Sequence, residues 1–182
     1  MNIKALIATL VLGVATITPV QARGTHEDHK RLWETIQSIG ITTVLNEPTQ
    51  CSRNISGAYG SQAGVLIICQ DNAKTPYSQV DWTQNDYDTL RHEAHHVVQD
   101  CADNTLGDSN LIPLFNESEL EEFVSRTLSD EAVNKIVREY RSHGVGDSVL
   151  IAEIEAFAVA RSVSAGAIAD KIIEFCTPAR KL

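Results

Sequence analysis

The residues whose types and spacing could do chemistry are His92, Glu93 and His96, in the stretch His92-Glu93-Ala94-His95-His96. On a helix, side chains four apart stand one above the other on the same face. Two imidazoles placed in that way can grip one divalent ion, and zinc is the ion that this pattern suits. Glu93, beside the first histidine, is placed to take a proton from a water that the metal has activated. His95 pairs with His92 at three-residue spacing, but it points about 100° away from His96. We read it as a polar flank residue and not as a ligand.

The element that must position these residues is a helix. On a 3.6-residue wheel Leu90, Ala94, Val97, Val98 and Cys101 share one side, the pattern of a core-facing helix. His92, His96 and Gln99 fall on the opposite side, facing either water or a cleft closed by another part of the chain. Upstream, Thr83-Gln84-Asn85-Asp86 has the form of a capping box, which predicts a helix over residues 84–101.

A catalytic zinc takes three protein ligands and keeps one position open. The metzincin arrangement does not fit: Gln99 and Ala102 stand where its Gly and third His belong, and the one methionine is Met1. The remaining source is a later helix. Ala152-Glu153-Ile154-Glu155-Ala156-Phe157-Ala158 supplies two carboxylates. Together with the histidine motif, this stretch resembles the gluzincin metallopeptidases. It is most similar to groups whose ligand helix reads E-x-E-A, the integral-membrane prenyl-protein and heat-shock peptidases. The resemblance covers residues 83–101 and 147–163. It stops short of those groups at Phe157, where they carry Asp, and this chain lacks their membrane helices.

The resemblance implies a zincin-like fold, zinc (Zn2+) held by His92, His96 and Glu153, and Glu93 as general base and proton shuttle. It implies hydrolysis of a peptide or protein substrate. Glu155 is two residues from Glu153 and so points about 160° away on the helix. Its neighbours at seven-residue spacing are Ser148 and Ser162, so its carboxylate is expected to stay hydrated or to accept hydroxyl bonds. Glu153 lies among Val149, Leu150, Ala156, Phe157 and Ala160, where an ionised carboxylate needs a charge partner. Tyr140 and His143 are candidates for the donor that stabilises an oxyanion.

The chain has 182 residues, the size of one domain with a real core. Residues 1–22 have the form of a secretory signal peptide: Lys4, an apolar stretch over residues 5–20, and Val20-Gln21-Ala22 as the cleavage site. A single domain would then span residues 23–182. That leader carries one basic residue and no acidic one, so its loss leaves 14 basic against 24 acidic residues, a net charge of −10. Such a balance argues against nucleic acid or an anionic membrane surface as partner. No other stretch could span a bilayer, so no stable membrane insertion is expected after cleavage, and the expected location is secreted or periplasmic. Four cysteines remain, and an even count in an exported chain reads as disulfides. Of the three connectivities, we favour Cys51–Cys69 with Cys101–Cys176.

In order, the chain predicts a helix over residues 25–38 and a strand over 41–45. A loop follows over 47–54, then short strands over 55–59 and 64–69. After the motif helix come helices over residues 116–128, 129–141, 147–163 and 164–176. Trp33 and Trp82 read as packing residues. This is an α+β chain with a small N-terminal sheet, an active-site helix and an all-helical C-terminal half. Two functional readings follow, an exported zinc peptidase and an exported helical binding or structural domain with a non-catalytic zinc. The acid beside the ligands favours catalysis, because a structural zinc needs no such residue. A zinc hydrolase of a non-peptide bond is a third reading.

Overall fold

The structure is a computed structural model that describes residues 23–53, 55–74 and 80–177. The expected signal peptide lies outside the described residues. Among those residues there are seven helices and one three-stranded sheet, in the order α1 (His26–Ser38), β1 (Thr42–Leu45), α2 (Pro48–Cys51), β2 (Gly57–Gly60), β3 (Val65–Ile68), α3 (Gln84–Asp100), α4 (Glu117–Thr127), α5 (Asp130–Ser142), α6 (Asp147–Ser162) and α7 (Ala165–Cys176). The mixed class, with a small early sheet and a helical second half, is the one the sequence predicts. A single turn of helix, α2, stands within the loop expected at 47–54: Pro48 opens it, and the Glu47 carboxylate caps it by accepting from the Gln50 N–H.

The helix ends follow from local chemistry. Thr25, Thr83 and Asn116 each begin a capping box with an acid three residues on, and Ser129 and Ser164 cap α5 and α7 through their hydroxyls. Asp86 does more than close its own box, since its second oxygen accepts the Asp71 N–H at 2.9 Å and ties the preceding connector to the start of α3.

The sheet order is β1-β3-β2. β1 runs parallel to β3, with Thr42 opposite Val65, and β2 pairs antiparallel with β3, with Tyr59 opposite Leu66. The central strand is almost wholly apolar, and its Leu66 and Ile68 join the core. That core is completed by Leu32 and Ile36 of α1, Ile41 just before β1, Leu90, Ala94, Val97 and Val98 of α3, Val159 of α6, and Ala165, Ile168, Ala169 and Ile172 of α7. Trp33 and Trp82 pack at its edge with their rings edge to face, as read from the sequence.

The packing of α3 against α6 positions the site. Arg91, fully buried, donates from Nε and Nη2 to the Ala160 carbonyl at 2.9 and 2.8 Å. Eight residues further along α3, Gln99 Nε2 donates to the Ala152 carbonyl at 3.1 Å. The partners are also eight residues apart on α6 but in reverse order, so the helices run antiparallel and are clamped at two levels. Between the clamps, Ala152, Ala156 and Ala160 are buried at four-residue spacing, which lets the backbones approach.

Both expected disulfides are present. Cys51–Cys69 joins α2 to the end of β3, and Cys101–Cys176 joins the end of α3 to the end of α7. Their sequence separations of 18 and 75 correspond to about 3 and 4.5 kcal/mol of lost chain entropy in the unfolded state.

Candidate metal centre

α3 is buried over nearly its whole circumference, so its polar side does not face water. The structure chooses the other option left by the wheel, a cleft closed by another part of the chain, and α6 closes it. His92, Glu93 and His96 are buried, and their candidate ligand atoms lie within 4.8 Å of one another. Glu153 enters from α6. Its Oε2 is 3.2 Å from His92 Nε2 and 3.5 Å from His96 Nε2, and the two nitrogens are 3.1 Å apart.

That triangle can be compared with a metal's demands. Zinc bonds of 2.0–2.1 Å in a tetrahedron place neighbouring ligand atoms roughly 3.3 Å apart. All three edges lie near this value. Glu153 Oε2 is buried and lacks a hydrogen bond of good geometry despite its two close nitrogens. An orphaned carboxylate oxygen converging with two imidazole nitrogens is a donor set that fits a divalent cation.

The electrostatics of the metal-free cluster are those of a buried ion pair. Burial pushes the Glu153 carboxyl up, but the two adjacent imidazoles outweigh it and hold it well below the usual range. Burial likewise lowers His96, yet its contact with Glu153 dominates and the imidazolium persists to about 9. Glu93 is shifted the other way: burial raises its pKa, the two histidine charges offset part of the rise, and Glu153 adds to it.

Glu93 is placed by the sheet. Cys69 N–H bonds to the Ser56 carbonyl, and the alternation of an antiparallel pair then turns the Tyr59 N–H away from β3 to the open edge. There it meets the Glu93 carboxylate. The Tyr59 hydroxyl donates at 2.7 Å to Asp100, one heptad along the same face of α3. Gly57 permits this approach, because a Cβ there would stand 3.1 Å from Glu93 Cγ and 2.6 Å from Thr89 Cγ2.

Around the cluster, Phe157 lays its ring against His92 at 4.4 Å, and Tyr140 of α5 stands edge-on to Phe157. Burial, with the negative charge of Glu153 added to it, raises the Tyr140 phenol's pKa. His143, the other candidate for the oxyanion donor, lies outside the site: it is exposed and bonds the Glu139 carbonyl of its own helix.

Two expectations are overturned. His95 is no polar flank residue; it is buried, with Nε2 2.7 Å from Glu155 Oε1. Glu155 is not hydrated; it is fully buried and accepts from His95, from Gln99 Nε2 at 3.0 Å, and from the Leu114 and Phe115 N–H groups at 3.0 and 3.2 Å. Burial raises this carboxyl and lowers His95, but the bonds from His95 and the backbone keep Glu155 ionised against a neutral imidazole. The wheel could not show this, because the segment around Leu114 that covers Glu155 is distant in sequence. Gln99, Asp100, Tyr59 and Arg91 were also missed as structural partners of the site. Spacing alone carries no signal for a polar residue whose acceptor lies on another element.

No curated protein and no solved structure matches the chain. A family model described as a domain of unknown function, DUF8637, matches residues 17–176. The match takes in every element of the fold, both disulfides and all the residues of the candidate centre, and the chain belongs to that family.

Proposed function

We propose that this chain is an exported zinc-dependent peptidase of zincin-like architecture. The observation that carries the reading is the convergence of His92, His96 and Glu153, with a fourth residue, Glu93, buried beside them. Zinc, when bound, would act there as a Lewis acid on water and on the substrate carbonyl. His92 and His96 would hold it from one helix and Glu153 from another. Glu93, with its pKa raised, would take the proton from the attacking water and deliver it to the departing amine nitrogen. Tyr140 would donate a hydrogen bond to the oxygen on which charge develops. Export is supported by the two disulfides and by the leader-like residues 1–22; among the described residues, no helix is long and apolar enough to cross a membrane.

The low exposure of the cluster favours a second reading, a domain whose zinc is structural. His96 is 4% exposed and the Glu153 side chain 13%. The two are separated by one experiment: metal content of the purified chain, then turnover of an unstructured protein before and after chelation. About one zinc per chain with chelator-sensitive cleavage supports the peptidase. Bound zinc with no cleavage of any unstructured substrate supports the structural domain.

A further inference from the structure

We infer that Gln99 is a positioning residue for the metal centre: it holds His96 with Nε2 turned to the site and ties that histidine to the helix bearing Glu153. The inference rests on the metal-binding reading above.

The Gln99 side chain is fully buried, and its bonds leave one orientation. Nε2 lies 3.1 Å from the Ala152 carbonyl and 3.0 Å from Glu155 Oε1, and neither partner can donate. A reversed amide would set its own oxygen against two others inside the core. Oε1 is therefore the atom 2.7 Å from His96 Nδ1, and that ring nitrogen carries the proton it donates. The nitrogen left facing His92 Nε2 and Glu153 is Nε2, whose lone pair is the one a metal would use.

His92 is held differently. Its Nδ1 is buried without a partner, and its ring is wedged by Phe157. Through Gln99, His96 is linked by hydrogen bonds to Ala152 and Glu155 of α6. Glu153 lies on α6 between those two contacts. Removing the amide frees one ligand to rotate and unties one of the two clamps that fix the distance between the ligand-bearing helices.

The test is Gln99→Met, which keeps the length and removes the amide. In protein with labelled histidine rings, NMR should show a solvent-protected Nδ1–H on His96 in the wild type, both metal-free and zinc-loaded. The variant should lose that protection. Its zinc affinity, read by competition with a chromophoric chelator, should fall about 10–100-fold with helical circular dichroism retained. A wild-type His96 without a protected Nδ1–H overturns the inference, whether or not the variant folds. A folded variant with unchanged zinc affinity overturns it too. A wild type that shows the protected proton but binds no zinc overturns the zinc reading, and with it the role of Gln99 toward metal; the intact resonance sets that failure apart.

Discussion

Glu153 and Glu155 stand two residues apart on α6 and engage different histidines: Glu153 Oε2 lies 3.2 Å from His92 Nε2, and Glu155 Oε1 lies 2.7 Å from His95 Nε2. One carboxylate belongs to the candidate centre and the other to the scaffold. Glu153→Ala should abolish tight zinc binding and leave the fold intact. Glu155→Ala strands His95, Gln99 and two backbone N–H groups in the core, and should cost about 3–5 kcal/mol of stability. Urea midpoints and chelator competition on both variants check this. Tight zinc in Glu153→Ala together with lost zinc in a folded Glu155→Ala would reverse the assignment.

Glu93 is buried and lies in the same cluster, and in the proposed mechanism it is the base and not a ligand. Glu93→Gln should keep about one zinc per chain and lower peptidase turnover by at least about 10²–10⁴-fold. Full turnover in the glutamine variant would remove Glu93 from the mechanism. His92→Ala and His96→Ala should lose the metal as well as the activity.

Gly57 faces Thr89 and Glu93 across the gap between β2 and α3. A methyl group at this position would sit 2.6 Å from Thr89 Cγ2 and 3.0 Å from the Ile67 carbonyl. Gly57→Ala should therefore cost about 1–3 kcal/mol of stability. Because the same shift displaces Glu93 and the Tyr59 N–H that meets it, turnover should fall further than the loss of folded protein accounts for. Thermal midpoint and turnover per folded molecule, measured together, decide whether β2 is a mere lid or a support for the base.

Metal removal gives a pH signature with a definite sign. In the metal-free protein His96 holds its proton up to about 9, against an ordinary value of 6.5. The folded state thus keeps a proton that the unfolded chain has released, and the stabilising effect is complete below pH 6.5 and fades as pH rises through about 9. Glu153 has the opposite shift, so its contribution is present above 4.5 and is lost only in stronger acid. Chelator-treated protein should therefore become easier to unfold between pH 6.5 and 9. Zinc must displace that proton to reach His96, so apparent zinc affinity should climb over the same interval. Urea midpoints that rise across it in the metal-free protein would contradict the His96–Glu153 pairing.

What the sequence made legible was whatever is written locally. The capping box at Thr83 marks a helix start with side chains within three residues of one another, and α3 begins there. Glu153 was separable from Glu155 because one helix cannot aim both at the same histidines. What stayed hidden depends on elements far apart in the chain. The burial of Glu155 needs the backbone at Leu114 and Phe115, and the burial of Arg91 needs the carbonyl of Ala160. Periodicity misled at His95 because α3 is enclosed on every side, so a residue off the apolar stripe is not thereby a residue in water.

The Cys101–Cys176 bridge bears on the chain before it folds. Two of the candidate ligands lie just upstream of Cys101, and Glu153 lies upstream of Cys176. Through the bridge, the covalent path from His96 to Glu153 is about half the path along the backbone, and each halving of a flexible loop eases its closure by about 0.6 kcal/mol. The third ligand is thus leashed near the other two even in the unfolded chain, which raises its effective concentration at the histidines. A metal ion would then meet a chain in which the search for its third donor has already been shortened by oxidation.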